Sequence, residues 1–360
     1  MIFYIKERFK KRWNRLDSLT KNQYGRWLIY SCFISIGLWG IFAVGFWYTE
    51  GTSFEESIWQ GWQTLTTVGY GNSPAESTWG RIITMIIGTM GIAQIGALFS
   101  AVFDYKAHLK EKKRLGLMDN PFSDGYVIFN FPGGSLLKQL ISELRNVEKE
   151  IGICIVDDRI EELPVDIQQI PNVHFIKGDG LSKETYERAK ICDNKAVIVY
   201  PVNKDDRQSD ASTKTIVDLV DRFTTEKTRI IHMLVDSNNA WMFDKNKSTA
   251  IYANLDTLAV VQECQDPYSA PIIEQLLSNT AGANPMTVKP SRQVGWTWGE
   301  LEQKILDVKQ TYGINCNLFA LIENGNYSTC PPSETVITDD SLISILGPAD
   351  FKWTDLERHL

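Results

Sequence analysis

Positive charge is missing from one part of this chain. Between residues 48 and 80 there is no lysine or arginine, only Glu50, Glu55, Glu56 and Glu76. Charge of either sign is missing from residues 27–48 and 82–103, two runs of 22 residues. As helices these would each measure about 33 Å, against a hydrocarbon core of about 30 Å. The first run is too long for the apolar centre of a signal peptide, and no small-residue cleavage site follows it. Histidine is scarce, with four in 360 residues, among them His108 and His359. That leaves few candidates for a general acid or base. The six cysteines show neither metal-ligand spacing nor a paired framework. Cys32 falls in the first apolar run, and reduced thiols are expected for the rest. The net charge of −7 belongs mostly to the later, polar part of the chain, and nothing in it suggests a nucleic-acid partner.

What is present gives an orientation. Lys6, Arg8, Lys10, Lys11, Arg12, Arg15, Lys21 and Arg26 precede the first apolar run, and Lys106, Lys110, Lys112, Lys113 and Arg114 follow the second. The positive-inside rule therefore puts both termini in the cytoplasm and residues 48–80 outside. Residues 1–26 read as a cytosolic basic segment whose interleaved aromatic and aliphatic side chains suit an amphipathic helix on the inner leaflet. After about residue 110 the composition is that of a globular protein.

Residues 53–66 read as a short helix. Ser53 is a suitable cap, Glu56 stands where a capping box needs it, and Trp59 and Trp62 follow at helical spacing. Too short to cross a bilayer, this helix must enter and return, supported by neighbouring protein. Next comes Thr64-Leu65-Thr66-Thr67-Val68-Gly69-Tyr70-Gly71. This resembles the TxxTVGYG selectivity filter of potassium channels at every fixed position, and residues 27–104 as a whole resemble their pore module. The resemblance implies an outer helix over 27–48, a pore helix over 53–66, a filter over 67–71 and an inner helix over 80–104. It also implies K+ as the permeant ion, held by the carbonyls of Thr67, Val68, Gly69 and Tyr70 and the hydroxyl of Thr67.

The residue types suit that task independently. A dehydrated cation needs several oxygens in place of its water, and carbonyls aimed at one axis supply them. Such a row requires backbone that alternates between right- and left-handed conformations, which Gly69 and Gly71 adopt at little cost. Tyr70, backed by Trp59 and Trp62, would brace the filter. One loop per chain means that four chains must ring the axis. Many members of the family pair an acid behind the filter with an acid just after it. Here those places hold Gln63 and Asn72, both uncharged, so gating that depends on an acid pair is not expected. In the second span Gly91 falls where related channels bend the inner helix, and Gly96 lies near the intracellular constriction. A hinge and close helix packing are the two readings of Gly91.

From residue 126 the pattern changes to alternating strands (126–131, 152–156, 173–176, 196–200, 230–235, 250–252) and helices (135–149, 183–190, 213–223), as in a doubly wound parallel sheet. After the first strand, Asn130-Phe131-Pro132-Gly133-Gly134 occupies the place of a dinucleotide-binding turn in degenerate form, ahead of a helix N-terminus. Asp157-Asp158 end the second strand, where an acid takes a ribose hydroxyl in such folds, and Gly178-Asp179 end the third. Residues 125–280 resemble an RCK domain (regulator of potassium conductance), and 281–360 its smaller C-terminal lobe, with strands at 315–323 and 342–346 and a turn at Gly325-Asn326. The resemblance implies a cytosolic ring of such domains beneath the pore, pulling on the inner helices through a linker over 105–124. The ligand expected is an adenine nucleotide, NAD or ADP, at Asn130, Pro132, Gly133, Gly134, Asp157, Asp158, Gly178 and Asp179. Calcium is the other possibility. The strand ends that hold it in calcium-gated relatives carry Tyr200, Met233 and Val235, leaving Asp205, Asp206 and Asp210 as an acidic loop nearby.

The sequence thus reads as a two-span all-α membrane pore module with a re-entrant helix and filter loop. A cytosolic α/β Rossmann-like RCK domain with an α+β C-terminal lobe follows. The expected activity is that of a ligand-gated potassium channel, a homotetramer in the lipid of the cell membrane, and not that of an enzyme. The alternative is a membrane-anchored NAD-dependent oxidoreductase, which gives no reason for an intact filter.

Overall fold

The computed structural model describes residues 22–252, 255–279, 282–323, 325–348 and 350–360. The basic segment expected over residues 1–26 lies almost wholly outside them. The chain divides after Arg114 into two compact units.

The first unit has three helices: α1 (Gln23–Glu50), α2 (Phe54–Leu65) and α3 (Thr78–Arg114). The Asn22 side chain accepts from the Tyr24 amide at the start of α1, and Gly51 closes its end in the left-handed region. Both long helices have the length and composition to cross a membrane, and only 22% and 11% of their most apolar stretches are buried. Phe33, Ile36, Ile41, Met85, Ile92 and Phe99 stand exposed. A core helix of a soluble protein would bury such side chains, whereas hydrocarbon solvates them. Phe42, Phe46, Leu65 and Ile87 form a small core that ties α2 to both long helices.

The second long helix runs ten residues beyond the expected boundary at 104. Residues 105–114, expected as linker, continue it as helix. The reason is local. Lysine, alanine, leucine and glutamate dominate there, with no glycine before Gly116, and Glu111 pairs with Arg114 at 2.6 Å. Lys112, Lys113 and Arg114 also place positive charge at the negative end of the helix dipole.

The second unit holds six parallel strands: β1 (Tyr126–Phe129), β2 (Ile153–Asp157), β3 (Val173–Lys177), β4 (Ala196–Val199), β5 (Arg229–Leu234) and β6 (Thr249–Tyr252). Their spatial order is β3-β2-β1-β4-β5-β6. The reversal of order between β1 and β4 is the switch point of a doubly wound sheet. Strand alternation divides the core in two. Val127, Phe129, Val156 and Val199 pack on one face with Ile216 and Val220 of α7 (Ser209–Phe223). Ile128, Ile153, Ile155 and Ile198 pack on the other with Leu137 and Ile141 of α4 (Gly134–Val147). The short helices α5 (Val165–Gln168) and α6 (Lys183–Ala189) complete the crossovers.

Two helices, α8 (Leu255–Gln265) and α9 (Ser269–Leu277), have no buried residue, and Leu258, Val260, Val261, Ile272 and Leu277 are exposed on them. The last lobe is an antiparallel sheet of β7 (Asn284–Val288), β8 (Asn317–Glu323), β9 (Asn326–Thr329) and β10 (Leu342–Gly347) in the order β7-β10-β8-β9. Helix α10 (Trp298–Tyr312) packs on it, started by a capping box between Thr297 and Glu300, and α11 (Trp353–Glu357) follows β10.

His232 on β5 is fully buried, stacked on Phe243 at 4.0 Å, and neither ring nitrogen has a hydrogen-bond partner among the described residues. Burial lowers its pKa to about 4, although the Asp210 carboxylate partly opposes this. The folded state therefore holds a neutral imidazole, while the unfolded chain takes up a proton near pH 6.5. Stability should be full above that pH and fall by up to about 3 kcal/mol as pH drops from ~6.5 to ~4. Urea midpoints at pH 7 and pH 5 measure this, and His232→Phe should flatten the difference.

Candidate functional site

In the first unit the chemistry lies in the loop after α2. Ser53 caps this helix by accepting from the Glu56 amide at 3.2 Å. Only that half of the expected capping box forms. The Glu56 carboxylate turns instead to the far end of the loop, where it accepts from Ser73 Oγ at 2.5 Å and from Asn72 Nδ2 at 3.3 Å.

Past Leu65 the backbone takes positive φ at every second residue: 61° at Thr67, 58° at Gly69 and 73° at Gly71. The glycines do this freely. Thr67 does so against a penalty of about 1–2 kcal/mol, strain that nothing in its residue type announces. Gln63 holds the loop in this shape. Its backbone oxygen accepts from the Val68 amide at 3.0 Å and its Oε1 from the Tyr70 amide at 3.1 Å. In a trans peptide the C=O and N–H point in opposite directions, so the carbonyls of Thr67 and Gly69 face away from the helix.

The uncharged pair expected at Gln63 and Asn72 is joined, with Gln63 Nε2 donating to Asn72 Oδ1 at 3.0 Å. The resulting chain runs from the Tyr70 N–H through Gln63 and Asn72 to Glu56. Its polarity is fixed at both ends, because the amide can only donate and the carboxylate only accept. Trp59 stacks on Trp62 at 5.2 Å and on Tyr70 at 6.1 Å. Val68, Gly69, Tyr70 and Gly71 are otherwise exposed.

α3 passes through Gly88, Gly91 and Gly96 as unbroken helix. Gly91 meets α2: a Cβ there would lie 2.3 Å from Leu65 Cδ2 and 3.4 Å from the Leu65 Cα. A Cβ on Gly96 would meet nothing within 4 Å.

In the second unit the crevice at the switch point is lined by the turns after β1 and β4. Asn130, at φ 64°, donates from Nδ2 to the Tyr200 carbonyl at 2.6 Å and joins the two turns. Gly133, at φ 101°, opens α4 with no side-chain cap. First-turn amides of that kind suit an anion.

Asp157 is buried, and its carboxylate accepts four bonds, two on each oxygen. The Phe131 amide at 2.6 Å and Arg159 Nη2 at 2.5 Å reach Oδ2, and the Arg159 amide at 2.7 Å and Nε at 3.0 Å reach Oδ1. A carboxylate offers about four such positions. A ribose hydroxyl could reach Asp157 only if Arg159, which also donates to the Val202 carbonyl, moved aside. Asp158 is exposed. Gly178 packs against Thr185, while Asp179 accepts from the amides of Leu181 and Ser182 and so shapes the turn before α6. Of the three acids expected in one loop, Asp210 instead lies in the first turn of α7 and is buried, accepting from the amides of Val235 and Asp236 and from Asn239. Among the described residues no group of three His, Cys, Asp or Glu is placed to hold a metal ion.

Sequence reasoning missed Glu56 as a contact of the loop after α2, Arg159 as the partner of Asp157, and the strain at Thr67. Burial alone would raise the Asp157 carboxyl, but the bonds from Arg159 and the Phe131 amide outweigh it and hold the pKa below the usual carboxylate range. Its contribution to stability should be present above about pH 4 and be lost as pH falls further. Asp157→Ala should cost about 2 kcal/mol at neutral pH and remove that part of the acid limb, as read by urea unfolding.

Residues 29–107 match the family described as "Ion channel". Curated relatives include the calcium-gated potassium channel TvoK of Thermoplasma volcanium, 25% identical over 64% of this chain and 62% of its own. "Probable potassium channel protein 2" of Methanocaldococcus jannaschii is 25% identical over 41% of this chain and 44% of its own. The chain therefore spans less than two thirds of the length of either relative. Among solved structures, the GsuK channel bound to NAD aligns over 91% of this chain and 58% of its own at 18% identity and a TM-score of 0.45. The human SLO3 gating ring aligns over 66% of this chain and 46% of its own at 16% identity and a TM-score of 0.48. The segment match is thus to an ion-channel family model, and these curated relatives are potassium channels.

Proposed function

We propose that this chain is one of four identical subunits of a potassium-selective channel in the cell membrane, with both termini in the cytoplasm and the second unit acting as a ligand-sensing RCK domain. One observation carries the reading: a loop alternating in φ, held by Gln63 so that its carbonyls face away from the pore helix. Four such loops around an axis would offer rings of oxygens to a dehydrated K+ at Thr67, Val68, Gly69 and Tyr70. The exposed apolar side chains of α8 and α9 are suited to covering by further copies of the chain.

Coupling would run through a short strap. Two residues after α3 ends, the Gly116 carbonyl accepts from the Lys177 amide at 3.0 Å and from Arg188 Nη2 at 2.5 Å. The strap is thus clamped to β3 and α6, and a movement of that lobe would reach the inner helix with little slack.

As ligand, an adenine nucleotide fits the uncapped start of α4 beside Gly133 and Gly134 better than calcium fits the strand ends at Tyr200, Met233 and Val235. The name of TvoK keeps calcium as the second ligand to test. Bound nucleotide would displace Arg159 from Asp157 or use its guanidinium as a phosphate partner.

Purified protein in liposomes should pass K+ and exclude Na+, and NAD on the face carrying the second unit should change the flux. Flux that ignores NAD but follows calcium would reassign the ligand. Absence of K+ flux under either would overturn the channel reading.

A further inference from the structure

Gln94 lies on α3 one turn after Gly91, within a stretch long and apolar enough to cross the membrane. Its Nε2 reaches the Ser31 carbonyl at 2.9 Å, Ser31 Oγ at 2.9 Å and Ser35 Oγ at 3.3 Å, all on α1. Ser35 Oγ itself donates to the Ser31 carbonyl at 2.9 Å. With that hydroxyl proton committed and the Ser31 carbonyl able only to accept, the Gln94 amide is held with its nitrogen toward α1. Its two protons are shared among three acceptors.

The surroundings offer this amide little else. Gln94 itself lines a mostly apolar cavity of about 190 Å³ with Leu38, Trp39, Leu65 and Ile95. Ser35 and Thr66 are the other polar side chains there, apart from the Trp39 and Trp62 indoles. In hydrocarbon an unpartnered amide is costly, so Gln94 has one favourable arrangement, the one against α1. Successive turns of α3 are therefore fixed to different elements. Gly91 rests on Leu65 at the foot of the pore helix, and Gln94 is bonded to the outer helix. A bend at or below Gly91 must break the Gln94 contact or carry α1 along with it, and the cavity leaves Leu65 room to shift.

We infer that Gln94, with Ser31 and Ser35, is an intramembrane latch that sets the open-to-closed balance of the inner helix, a positioning role resting on the channel reading above. The test is single-channel recording of the full-length protein in symmetrical K+ without ligand. Gln94→Leu keeps the volume and removes the donors, whereas the pair Ser31→Ala and Ser35→Ala weakens the acceptors. Both should shift the open-to-closed ratio in the same direction by about threefold or more, the scale of one interhelical hydrogen bond per subunit. Unitary conductance and the K+/Na+ reversal potential should stay unchanged, because neither variant touches the filter.

A merely structural role would lower thermal stability and leave the ratio alone. A ratio unchanged in both variants, or shifted in opposite directions, overturns the latch. If Gln94→Leu fails to assemble, the serine pair decides alone, and an unchanged ratio there overturns it. Wild-type protein that carries no potassium current without ligand, with NAD or with calcium overturns the channel reading, and the latch with it; if current appears only with one of those ligands, the same ratios are read in its presence.

Discussion

The first unit depends on Gln63. Two of its oxygens, one in the backbone and one in the side chain, take the amides of Val68 and Tyr70. Those two bonds turn the peptide planes of a strained loop. Without them Thr67 would have no reason to stay in the left-handed region, and the carbonyl row would lose its direction. Gln63 is useful only because its helix is fixed. Trp39 Nε1 donates to the Ile58 carbonyl at 2.9 Å, Phe42 and Phe46 pack against Leu65, and Gly91 lets α3 come close to the same leucine. The long helices therefore serve as clamps on a twelve-residue helix.

Charge is handled with the same economy. The place behind the loop holds the Gln63 amide, and the carboxylate stands at the start of α2, where Glu56 reaches the far end of the loop through Asn72 and Ser73. An amide relay between a fixed donor and a fixed acceptor needs no proton to be taken up or lost. In the second unit the buried Asp157 is paired with Arg159 and bonded by the Phe131 amide, which keeps the turn after β1 in shape.

Much of this was legible in the sequence because it rests on periodicity and on residues with few conformational alternatives. The charge-free runs gave the two long helices. Gly69 and Gly71 gave the backbone alternation, and the strand-helix alternation after residue 126 gave the doubly wound sheet. What escaped was decided by side-chain partners distant in sequence. Glu56 reads as a capping-box residue until the loop returns 17 positions later to meet it. Asp157 reads as a free acid until Arg159 is seen folded back onto it. The helical run over 105–114 was legible in its helix formers and its Glu111–Arg114 spacing, yet the end of the apolar run masked it. Gly91 shows that one residue can serve close packing and still leave the helix locally weak, so the two readings of that glycine do not exclude each other.

The most direct test of the central claim is equilibrium ion binding to the purified protein in detergent, by calorimetric titration of K+ into potassium-free, sodium-containing buffer. A filter of this geometry binds K+ saturably against a large excess of Na+, and Gln63→Ala abolishes that binding by releasing the amides of Val68 and Tyr70. Binding that fails to discriminate K+ from Na+, or that survives Gln63→Ala unchanged, would contradict the assignment of this loop as the selectivity element.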